Sequence, residues 1–350
     1  MRLGILIMAA GKGTRLRSKR AKVLHEIGGR PLLRHVIAAA AQVVPPRDIL
    51  TIVGHQSEAV QTAVRDTGVR FVLQEKQRGT GHAIQCAERE TRGYDALIVL
   101  SGDVPLLRPE TIVALRDFHL RERAAMTILT AEPPDPFGYG RVVRRKPASC
   151  EVAAIVEQKS LAPSQESLRE INSGIYAFRR RALYESIGRL RADNTQKELL
   201  LTDMARILSK AGKRVVAIEA AQPTEVLGAN TIAELMDLDR EMRLATAVRL
   251  MNSGVTIFRP ETLTIDVGVE IGPDTVIEPF VQLLGNTRIG SDCRIRSFSI
   301  LENMILGDKV LLRNSCIVTD STIEKGALIG PFTHIRPGCR IGEGAHRILT

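Results

Sequence analysis

The chain has 350 residues, of which 44% are hydrophobic and 25% are charged, and its formal net charge is +10. This length exceeds the usual size of a single hydrophobic core, so we expect two domains. No uninterrupted apolar run approaches the roughly 20 residues of a membrane span, and the chain enters a predicted strand at once, which leaves no room for a signal peptide. These features predict a cytoplasmic protein without a membrane partner.

The composition also bears on metals and nucleic acids. The five cysteines form no C-x-x-C pair, so neither a disulfide framework nor a structural zinc site is expected. The positive charge is compatible with nucleic acid, with an anionic membrane surface or with anionic small molecules. Aromatic residues are only 3% of the chain and the cations are scattered, which disfavours nucleic acid. Phosphorylated small substrates are therefore the simplest partners, the alternative for most of these charges being a solvated basic surface.

The first motif is a glycine-containing loop after the apolar run at residues 3–8. Gly11 and Gly13 can turn the backbone with positive φ and bring its N–H groups towards an anion. Positive charge is supplied by three nearby residues: Lys12, Arg15 and Lys22. The loop lacks both the Walker pattern and the third glycine of the dinucleotide fingerprint. It predicts a polyphosphate site, the alternative being a glycine-rich turn with surface cations.

Apolar runs alternate with helical patterns along the first half of the chain. Strands are predicted at residues 49–54, 69–73, 96–100 and 125–130, and helices at 31–44, 58–65 and 80–90. This alternation predicts a Rossmann-like α/β domain with a mostly parallel sheet. Asp103 follows the strand at 96–100, at the edge where such sheets bind ligands, and is a candidate magnesium ligand. The alternative is an aspartate that caps its own turn.

The motifs together resemble one enzyme family. Between residues 9 and 230 the chain contains, in order, AAGKGTR, KVLH, LQ-x4-GTGHA, GDVPL, GYGR, VE, INSG and GAN. This ordered set resembles the bacterial N-acetylglucosamine-1-phosphate uridyltransferases, the N-terminal half of a bifunctional enzyme. The chain has Ala21 where many members have proline, Ser101 where some have tyrosine and Ser173 where some have threonine. These small departures leave the resemblance standing.

The resemblance implies a role for each matching residue. The nucleotide and its phosphates are expected at Ala9, Ala10, Gly11, Arg15 and Lys22. The uracil is expected at Gln74, Gly79 and Thr80, and the N-acetylglucosamine moiety at Gly140, Glu157 and Asn172. The magnesium ligands are expected to be Asp103 and Asn230, and the catalytic residues Arg15, Lys22 and Asp103. Taken singly, Glu157 and Asn172 would more often be surface or turn residues.

The function implied by the resemblance is transfer of UMP from UTP to N-acetylglucosamine 1-phosphate, with Mg²⁺ as cofactor. The product would supply precursors of the cell envelope, such as peptidoglycan and lipopolysaccharide. One alternative is a related nucleotidyltransferase with another base or sugar, for example a thymidylyl- or adenylyltransferase. A second is a regulatory subunit with the same folds, which the intact Lys22 and Asp103 disfavour. A nicotinamide-dependent oxidoreductase is disfavoured by the missing third glycine.

The last third of the chain carries an internal repeat. A helix is predicted from Thr231, which forms a capping box with Glu234, to about Gly254. After it, aliphatic residues recur every six positions in two runs, which a single four-residue step separates: 265 to 301 and 305 to 341. Glycines directly after several of them are expected to ease corners. We therefore predict domains at 1–229 and 255–350, joined by a linker helix at 230–254.

The six-residue period predicts a parallel β-helix with the aliphatic side chains inside. The resemblance implies that this β-helix is left-handed and forms a homotrimer. In the bifunctional relatives a longer β-helix carries an acetyltransferase site, and Arg336 resembles an arginine at its start. Arg347 breaks the period and Thr350 ends the sequence. We therefore expect uridyltransferase activity without acetyltransferase activity.

Overall fold

The computed structural model describes residues 1–146, 149–194 and 197–347. The contacts divide the chain into two compact units. The first comprises Met1–His25 and Pro31–Leu235, and the second comprises Glu26–Arg30 and the chain from Met236 onward. These limits differ from the predicted ones, because the boundary falls inside the predicted linker helix and a segment before residue 31 packs with the second unit.

Helices and strands alternate from residue 32 to residue 131, as the apolar runs predict. In chain order the strands are β1 (Leu3–Ala9), β2 (Glu26–Ile27), β3 (Arg30–Pro31), β4 (Ile49–Val53), β5 (Arg70–Leu73), β6 (Ala96–Ser101), β7 (Met126–Ala131), β8 (Arg141–Arg144), β9 (Val152–Val156), β10 (Ile171–Arg179) and β11 (Val215–Glu219). The helices are α1 (Leu32–Ala41), α2 (Ser57–Val64), α3 (Thr80–Cys86), α4 (Pro109–Arg121), α5 (Arg180–Ser186), α6 (Asp203–Lys210) and α7 (Ile232–Asn252). Helix α3 ends at Cys86, earlier than predicted.

The first unit is built on a mostly parallel sheet with strand order β11-β7-β10-β6-β1-β4-β5. Strand β1 lies between β4 and β6 and is parallel to both. Strand β10 runs antiparallel to β6 and β7, and β8 and β9 extend the sheet beside it. The beginning of β10 therefore lies at the same edge as the ends of β1 and β6. This arrangement brings residues from distant parts of the sequence to one edge of the sheet.

The sheet is covered on both faces, which explains the continuous apolar runs. Along β1, Ile5 and Ile7 belong to one hydrophobic cluster, whereas Leu6 belongs to the other. All three side chains are fully buried. Because side chains alternate between the faces of a strand, a strand with helices on both sides is apolar at every position.

The second unit contains three parallel sheets of short strands. These strands are β12 (Thr256–Ile257), β13 (Thr264–Ile265), β14 (Glu270–Ile271), β15 (Val276–Ile277), β16 (Gln282–Leu284), β17 (Arg288–Ile289), β18 (Arg294–Ile295), β19 (Ile300–Glu302), β20 (Ile305–Leu306), β21 (Leu311–Leu312), β22 (Ile317–Thr319), β23 (Thr322–Ile323), β24 (Leu328–Ile329), β25 (His334–Ile335), β26 (Arg340–Ile341) and β27 (His346–Arg347). Every third strand pairs with the next member of its own sheet. The stack is the predicted parallel β-helix of hexapeptide repeats. Thr350 lies outside the described residues.

The predicted phase of the repeat is wrong in its middle section. Ile305 and Ile317, which the sequence places inside, are 54% and 42% exposed, whereas Leu306 and Val318 are 3% and 0% exposed. The interior position therefore moves five residues from Leu301 to Leu306 and again five from Val318 to Ile323. Two short steps replace the single four-residue step, and the strand register confirms them.

The glycines after the buried aliphatic residues are required for close approach of the coils. A Cβ on Gly272 would lie 2.7 Å from the backbone nitrogen of Ser291, and one on Gly290 would lie 2.8 Å from that of Asp308. Neither glycine has a positive φ. The expectation that they ease corners is therefore wrong for these two: a side chain there would collide with the next coil.

Helix α7 begins with part of the predicted capping box. The backbone N–H of Glu234 donates to the Thr231 hydroxyl at 3.2 Å. The Glu234 carboxylate accepts from the backbone N–H of Asn230 at 2.8 Å rather than from that of Thr231. This bond fixes the backbone of Asn230.

None of the helices in the part of the chain that the structure describes is both long enough and apolar enough to cross a membrane.

Candidate active site

Two adjoining clefts open in the first unit, at the edge where the parallel strands end. The first has a volume of about 500 Å³ and the second a volume of about 300 Å³. Both are lined by Met8, Thr80, Ser101 and Asp103. Two ligands bound side by side would therefore meet at Asp103.

The predicted residues divide between the two clefts. The first is lined by Ala9, Ala10, Gly11, Lys22, Gln74, Gly79, Thr80 and Asp103. The second is lined by Arg15, Thr80, Asp103, Gly140, Glu157, Asn172 and Asn230. The residues expected at the nucleotide thus lie in the first cleft, except Arg15, and those expected at the sugar lie in the second.

The two glycines of the first loop have different reasons to be glycine. Gly13 has φ of 63°, and a Cβ on it would lie only 2.5 Å from the Lys22 Cβ. Gly11 does not have a positive φ, and a Cβ on it would have no protein atom within 4 Å. The expectation of positive φ at both is therefore wrong for Gly11. Its missing side chain leaves space in the first cleft.

Lys22 connects the two predicted metal ligands. Its ammonium forms an ion pair with Asp103 Oδ2 and donates to Asn230 Oδ1 at 3.1 Å. All three side chains are at least partly shielded from solvent. A Cβ on Gly228 would lie 3.0 Å from Asp103 Oδ2, so the glycine allows the chain to pass close to this carboxylate. One carboxylate oxygen and one amide oxygen therefore converge on a cation.

The side-chain oxygens of Asp103 and Asn230 are suitable ligands for a magnesium ion. Mg²⁺ prefers oxygen ligands and is commonly held by one or two protein groups, with phosphates and water completing its coordination. Asp103 and Asn230 supply such oxygens, and they already hold a positive charge, the Lys22 ammonium. In the described ranges no group of three or more His, Cys, Asp or Glu side chains could hold a metal. The residues fit a magnesium ion shared with substrate phosphates rather than a site made by the protein alone.

The far end of the first cleft is formed by a rigid turn. Gly79 has φ of 107°, and a Cβ on it would lie 2.6 Å from the Leu199 backbone oxygen. The N–H of Leu201 donates to the Thr80 hydroxyl at 2.9 Å. These contacts fix the segment after Gln74 against a segment more than a hundred residues later. Gln74 is almost fully buried and lies at the bottom of this end.

Polar groups in the second cleft are held by one another. The Asn172 amide donates to the Tyr176 hydroxyl at 2.9 Å, and the Thr202 hydroxyl donates to Glu157 Oε1 at 2.8 Å. A Cβ on Gly140 would lie 3.2 Å from the Ile155 side chain. Burial raises the pKa of Tyr176, so this phenol stays protonated. Carboxylate, amide and hydroxyl groups held in this way suit the hydroxyl and amide groups of a sugar.

Tyr139 is a further polar group in the second cleft. Burial raises its pKa to about 12, and the carboxylates of Glu234 and Asp103 act in the same direction. A hydrogen bond with the Gly228 backbone and the charge of Arg15 oppose this shift. The Tyr139 hydroxyl therefore stays protonated near neutral pH and can donate a hydrogen bond.

Sequence reasoning missed Tyr139 and Thr202. Tyr139 lies inside the GYGR motif, so its position could have been taken from the same motif that indicated Gly140. Thr202 had no comparable signal, because its contact with Glu157 joins residues separated by 45 positions. Gln77 and Glu198 also line the first cleft and were not predicted.

Comparisons with known proteins agree with this architecture. Residues 5–207 match the family of MobA-like NTP transferase domains, and residues 268–303 match the bacterial transferase hexapeptide family with six repeats. The bifunctional protein GlmU of Koribacter versatilis (strain Ellin345) is 55% identical over 346 residues, which are 99% of this chain and 74% of that protein. The chain belongs to the GlmU family.

Other members of the GlmU family match over the same extent. The proteins of Solibacter usitatus (strain Ellin6076) and Streptococcus agalactiae serotype V are 43% and 39% identical, over 98% and 97% of this chain and 74% and 73% of those proteins. A solved structure of CMP:2-keto-3-deoxy-manno-octonic acid synthetase complexed with CTP has a TM-score of 0.52 at 20% identity. The superposition covers 69% of this chain and 98% of the synthetase chain, so the two folds are similar.

Membership of the GlmU family confirms the predicted fold class and the predicted class of enzyme. The first unit is a nucleotidyltransferase of the sugar-nucleotide pyrophosphorylase type. The second unit is a stack of hexapeptide repeats.

Proposed function

We propose that the chain transfers the UMP moiety of UTP to N-acetylglucosamine 1-phosphate and releases pyrophosphate. The observation that carries the proposal is the pair of adjoining clefts that meet at Asp103. One cleft has a glycine loop and cations for a triphosphate, and the other has the amide and carboxylate groups that suit an acetamido sugar. The product would enter the synthesis of cell-envelope precursors.

The chemistry proposed for the protein is positioning and charge stabilisation. A phosphate oxygen of the sugar phosphate attacks the α-phosphorus of UTP, and the bond to the β-phosphate oxygen breaks. The attacking oxygen is already ionised, so the site needs no dedicated general base. Lys22 and Arg15 stabilise the negative charge on the reacting phosphates, together with the backbone N–H groups of the loop at Gly11. No covalent intermediate with the protein is required.

The cofactor proposed is Mg²⁺, held by Asp103 and Asn230. When bound, the ion neutralises charge on phosphates of both substrates. In the ligand-free chain Lys22 neutralises Asp103 instead. We propose that Lys22 turns to phosphate when substrates and metal are present, since its ammonium then has a stronger anionic partner.

The other roles follow the two clefts. Gln74, Gly79 and Thr80 are proposed to hold the uracil, and Ala9 and Ala10 to line the nucleotide. Gly140, Glu157 and Asn172 are proposed to hold the sugar, with Tyr139 and Thr202 beside them. Glu157 is oriented by Thr202, and Asn172 by Tyr176, before any ligand arrives.

The test is a panel of sugar 1-phosphates assayed with UTP, dTTP and CTP by pyrophosphate release. We expect the highest kcat/KM for UTP with N-acetylglucosamine 1-phosphate, and no release when Mg²⁺ is removed by a chelator. Higher kcat/KM with another sugar or with dTTP would replace the proposed substrates by those of a related nucleotidyltransferase. Binding without turnover of any pair would favour the regulatory alternative.

We also propose that the second unit assembles as a homotrimer. An exposed pair of aromatic side chains on successive coils supports this: the rings of Phe280 and Phe298 stack with centroids 5.2 Å apart and are about half exposed. An exposed apolar column of this kind is typical of an interaction surface. Light scattering is expected to give the mass of a trimer, and a smaller mass for the double substitution Phe280→Ser and Phe298→Ser. A monomer for the unsubstituted chain would overturn the proposal.

A further inference from the structure

We propose that His82, together with the Gly79 backbone oxygen, sets the preference for the base by fixing the orientation of the Gln74 side-chain amide. The inference rests on the proposed function only in that the base lies against Gln74. It assigns to His82 the task of a positioning residue: it acts on the base through Gln74.

The Gln74 backbone is held at both ends. Its N–H donates to the Val53 backbone oxygen at 2.8 Å, and its carbonyl oxygen accepts from the Gln77 side chain at 3.0 Å. The side chain is only 3% exposed. The position of the amide group is therefore fixed. Its two orientations differ in which of the two positions holds Nε2 and which holds Oε1.

Two neighbours decide that orientation. Gln74 Nε2 lies 3.1 Å from the Gly79 backbone oxygen and 3.1 Å from His82 Nδ1. A carbonyl oxygen can only accept a hydrogen bond, so the amide atom that faces Gly79 must be the nitrogen. Its second N–H then points to His82 Nδ1, which must accept. His82 is thereby assigned the neutral tautomer with the proton on Nε2.

The other ring nitrogen agrees with this tautomer. His82 Nε2 lies 3.9 Å from Cys86 Sγ, one turn further along α3. Sulfur is a weak acceptor, and burial raises the pKa of the Cys86 thiol, which keeps it neutral. Cys86 Sγ also lies 4.0 Å from His82 Nδ1, but a thiol is a weak donor and does not displace the Gln74 amide, which lies 3.1 Å from that nitrogen.

The consequence concerns what Gln74 presents to the base. With both N–H groups engaged, the remaining polar atom is Oε1, which has no hydrogen-bond partner among the described residues, and the side chain lines the first cleft. Oε1 is an acceptor, so it matches the N3–H donor of uracil. Cytosine has an acceptor at N3 and would face Oε1 with its lone pair. A reversed amide would present Nε2 and favour cytosine.

The kinetic test compares the ratio of kcat/KM for UTP to kcat/KM for CTP, with N-acetylglucosamine 1-phosphate as acceptor. His82→Leu removes the acceptor but keeps a side chain of similar size. We expect its ratio to fall roughly tenfold, about the effect of one hydrogen bond between uncharged groups. His82→Asn offers Oδ1 as an acceptor and is expected to restore most of the ratio. An unchanged ratio in His82→Leu would overturn the proposal.

Gln85→Ala is the matched control. Gln85 lies on the same helix, and its side chain donates at 3.4 Å to the Ile187 backbone oxygen, away from Gln74. We expect its UTP to CTP ratio to equal that of the unsubstituted chain. An equal loss in Gln85→Ala and His82→Leu would mean that the helix, not the acceptor, sets the preference. If the unsubstituted chain does not prefer UTP, the proposed function fails instead, which is a different result.

A measurement on the unsubstituted protein does not depend on folding of the variants or on activity. Long-range ¹H–¹⁵N correlation spectra of the chain labelled at histidine distinguish the two neutral tautomers of a ring. We expect the His82 signal, assigned by its loss in His82→Asn, to be that of a ring protonated at Nε2 with an unprotonated Nδ1. A proton on Nδ1 would overturn the proposal, because that nitrogen could not accept from Gln74.

Discussion

The Lys22 ammonium lies 3.1 Å from the side-chain oxygen of Asn230, 208 residues further along the chain, and also forms an ion pair with Asp103. The three groups come from the end of the first loop, from the turn after β6 and from the segment before α7. Because the three groups meet at one point, we expect the activity and the stability of the protein to depend on the charges of Lys22 and Asp103.

Asp103→Asn is expected to lower kcat by a factor of about 10² to 10³, because it removes the charge that holds a cation in the transition state. The fold should be retained, since the side chain keeps its shape. Steady-state pyrophosphate release with a thermal melt checks both statements. Asp66→Asn is the control: it breaks an exposed ion pair with Arg34 and should change neither quantity measurably. Near-normal turnover in Asp103→Asn would contradict the proposed metal site.

Lys22→Ala should leave the Asp103 carboxylate without its cation. In metal-free buffer we expect the melting temperature to fall by roughly 2–4 °C, about the effect of 1 kcal/mol in a domain of roughly 150–250 residues. Millimolar Mg²⁺ should recover much of this loss, because the ion can replace the ammonium. Differential scanning fluorimetry with and without Mg²⁺ measures the difference. If Mg²⁺ raises the melting temperature of Lys22→Ala no more than that of the unsubstituted chain, the two oxygens do not hold the ion.

The two loop glycines provide a matched pair. Gly13→Ala forces a residue with a side chain into φ of 63° and against Lys22, and should cost about 1–2 kcal/mol of stability, together with activity. Gly11→Ala meets no protein atom and should leave the melting temperature unchanged while raising KM for UTP. Thermal melts and steady-state kinetics on both variants separate the two roles. Equal loss of stability in both would mean that Gly11 is structural.

The buried His119 predicts a dependence of stability on pH. Burial lowers its pKa from 6.5 to about 4 in the folded chain. The unfolded chain therefore binds a proton at a higher pH than the folded one, so stability is fully present above pH 6.5 and is lost as the pH falls towards 4. The loss amounts to roughly 3 kcal/mol. Denaturant unfolding measured between pH 7 and 4.5 should show a smaller loss of unfolding free energy with falling pH for His119→Gln than for the unsubstituted chain. Part of the loss should persist in the variant, because burial also lowers the pKa of His25.

The phase of the hexapeptide repeat can be tested with two neighbours in β22. Val318→Ala creates a cavity in the interior and should cost about 2 kcal/mol, whereas Ile317→Ala, at an exposed position, should cost less than about 0.5 kcal/mol. Chemical denaturation followed by circular dichroism checks the difference. The reverse order would restore the phase that the sequence alone indicates.

Much of the site could be predicted because of where parallel strands end. Ala10, Gln74 and Asp103 each follow an apolar run, and the ends of parallel strands meet at one edge of a sheet. Asn172 reaches the same edge from the beginning of an antiparallel strand. The contact of Thr202 with Glu157 could not be predicted, because no periodic pattern links two segments that meet only after the sheet has formed.

The middle of the repeat shows a different limit of sequence reasoning. At 305–306, 311–312 and 317–318 two aliphatic residues stand side by side, so a period of six fits either member of each pair. The choice depends on which step is shortened, and that is set by the stacking of one coil on the previous one. Leu306 pairs with Ile289 and with Ile323, both 17 residues away, and this pairing decides the phase.

The segment Glu26–Arg30 has a consequence for synthesis of the chain. The Gly28 N–H donates at 2.7 Å to Asp239 Oδ1, 211 residues later, and its carbonyl oxygen accepts from Val267 N–H at 3.1 Å. At roughly 5–20 residues per second a ribosome needs about 10 to 40 seconds to reach Asp239. During that interval the Gly28 backbone has neither of these hydrogen-bond partners, because Asp239 and Val267 have not yet been synthesised. The second unit includes the segment Glu26–Arg30, so it cannot be formed by the later residues alone. A fragment expressed from residue 236 onward would lack part of its fold.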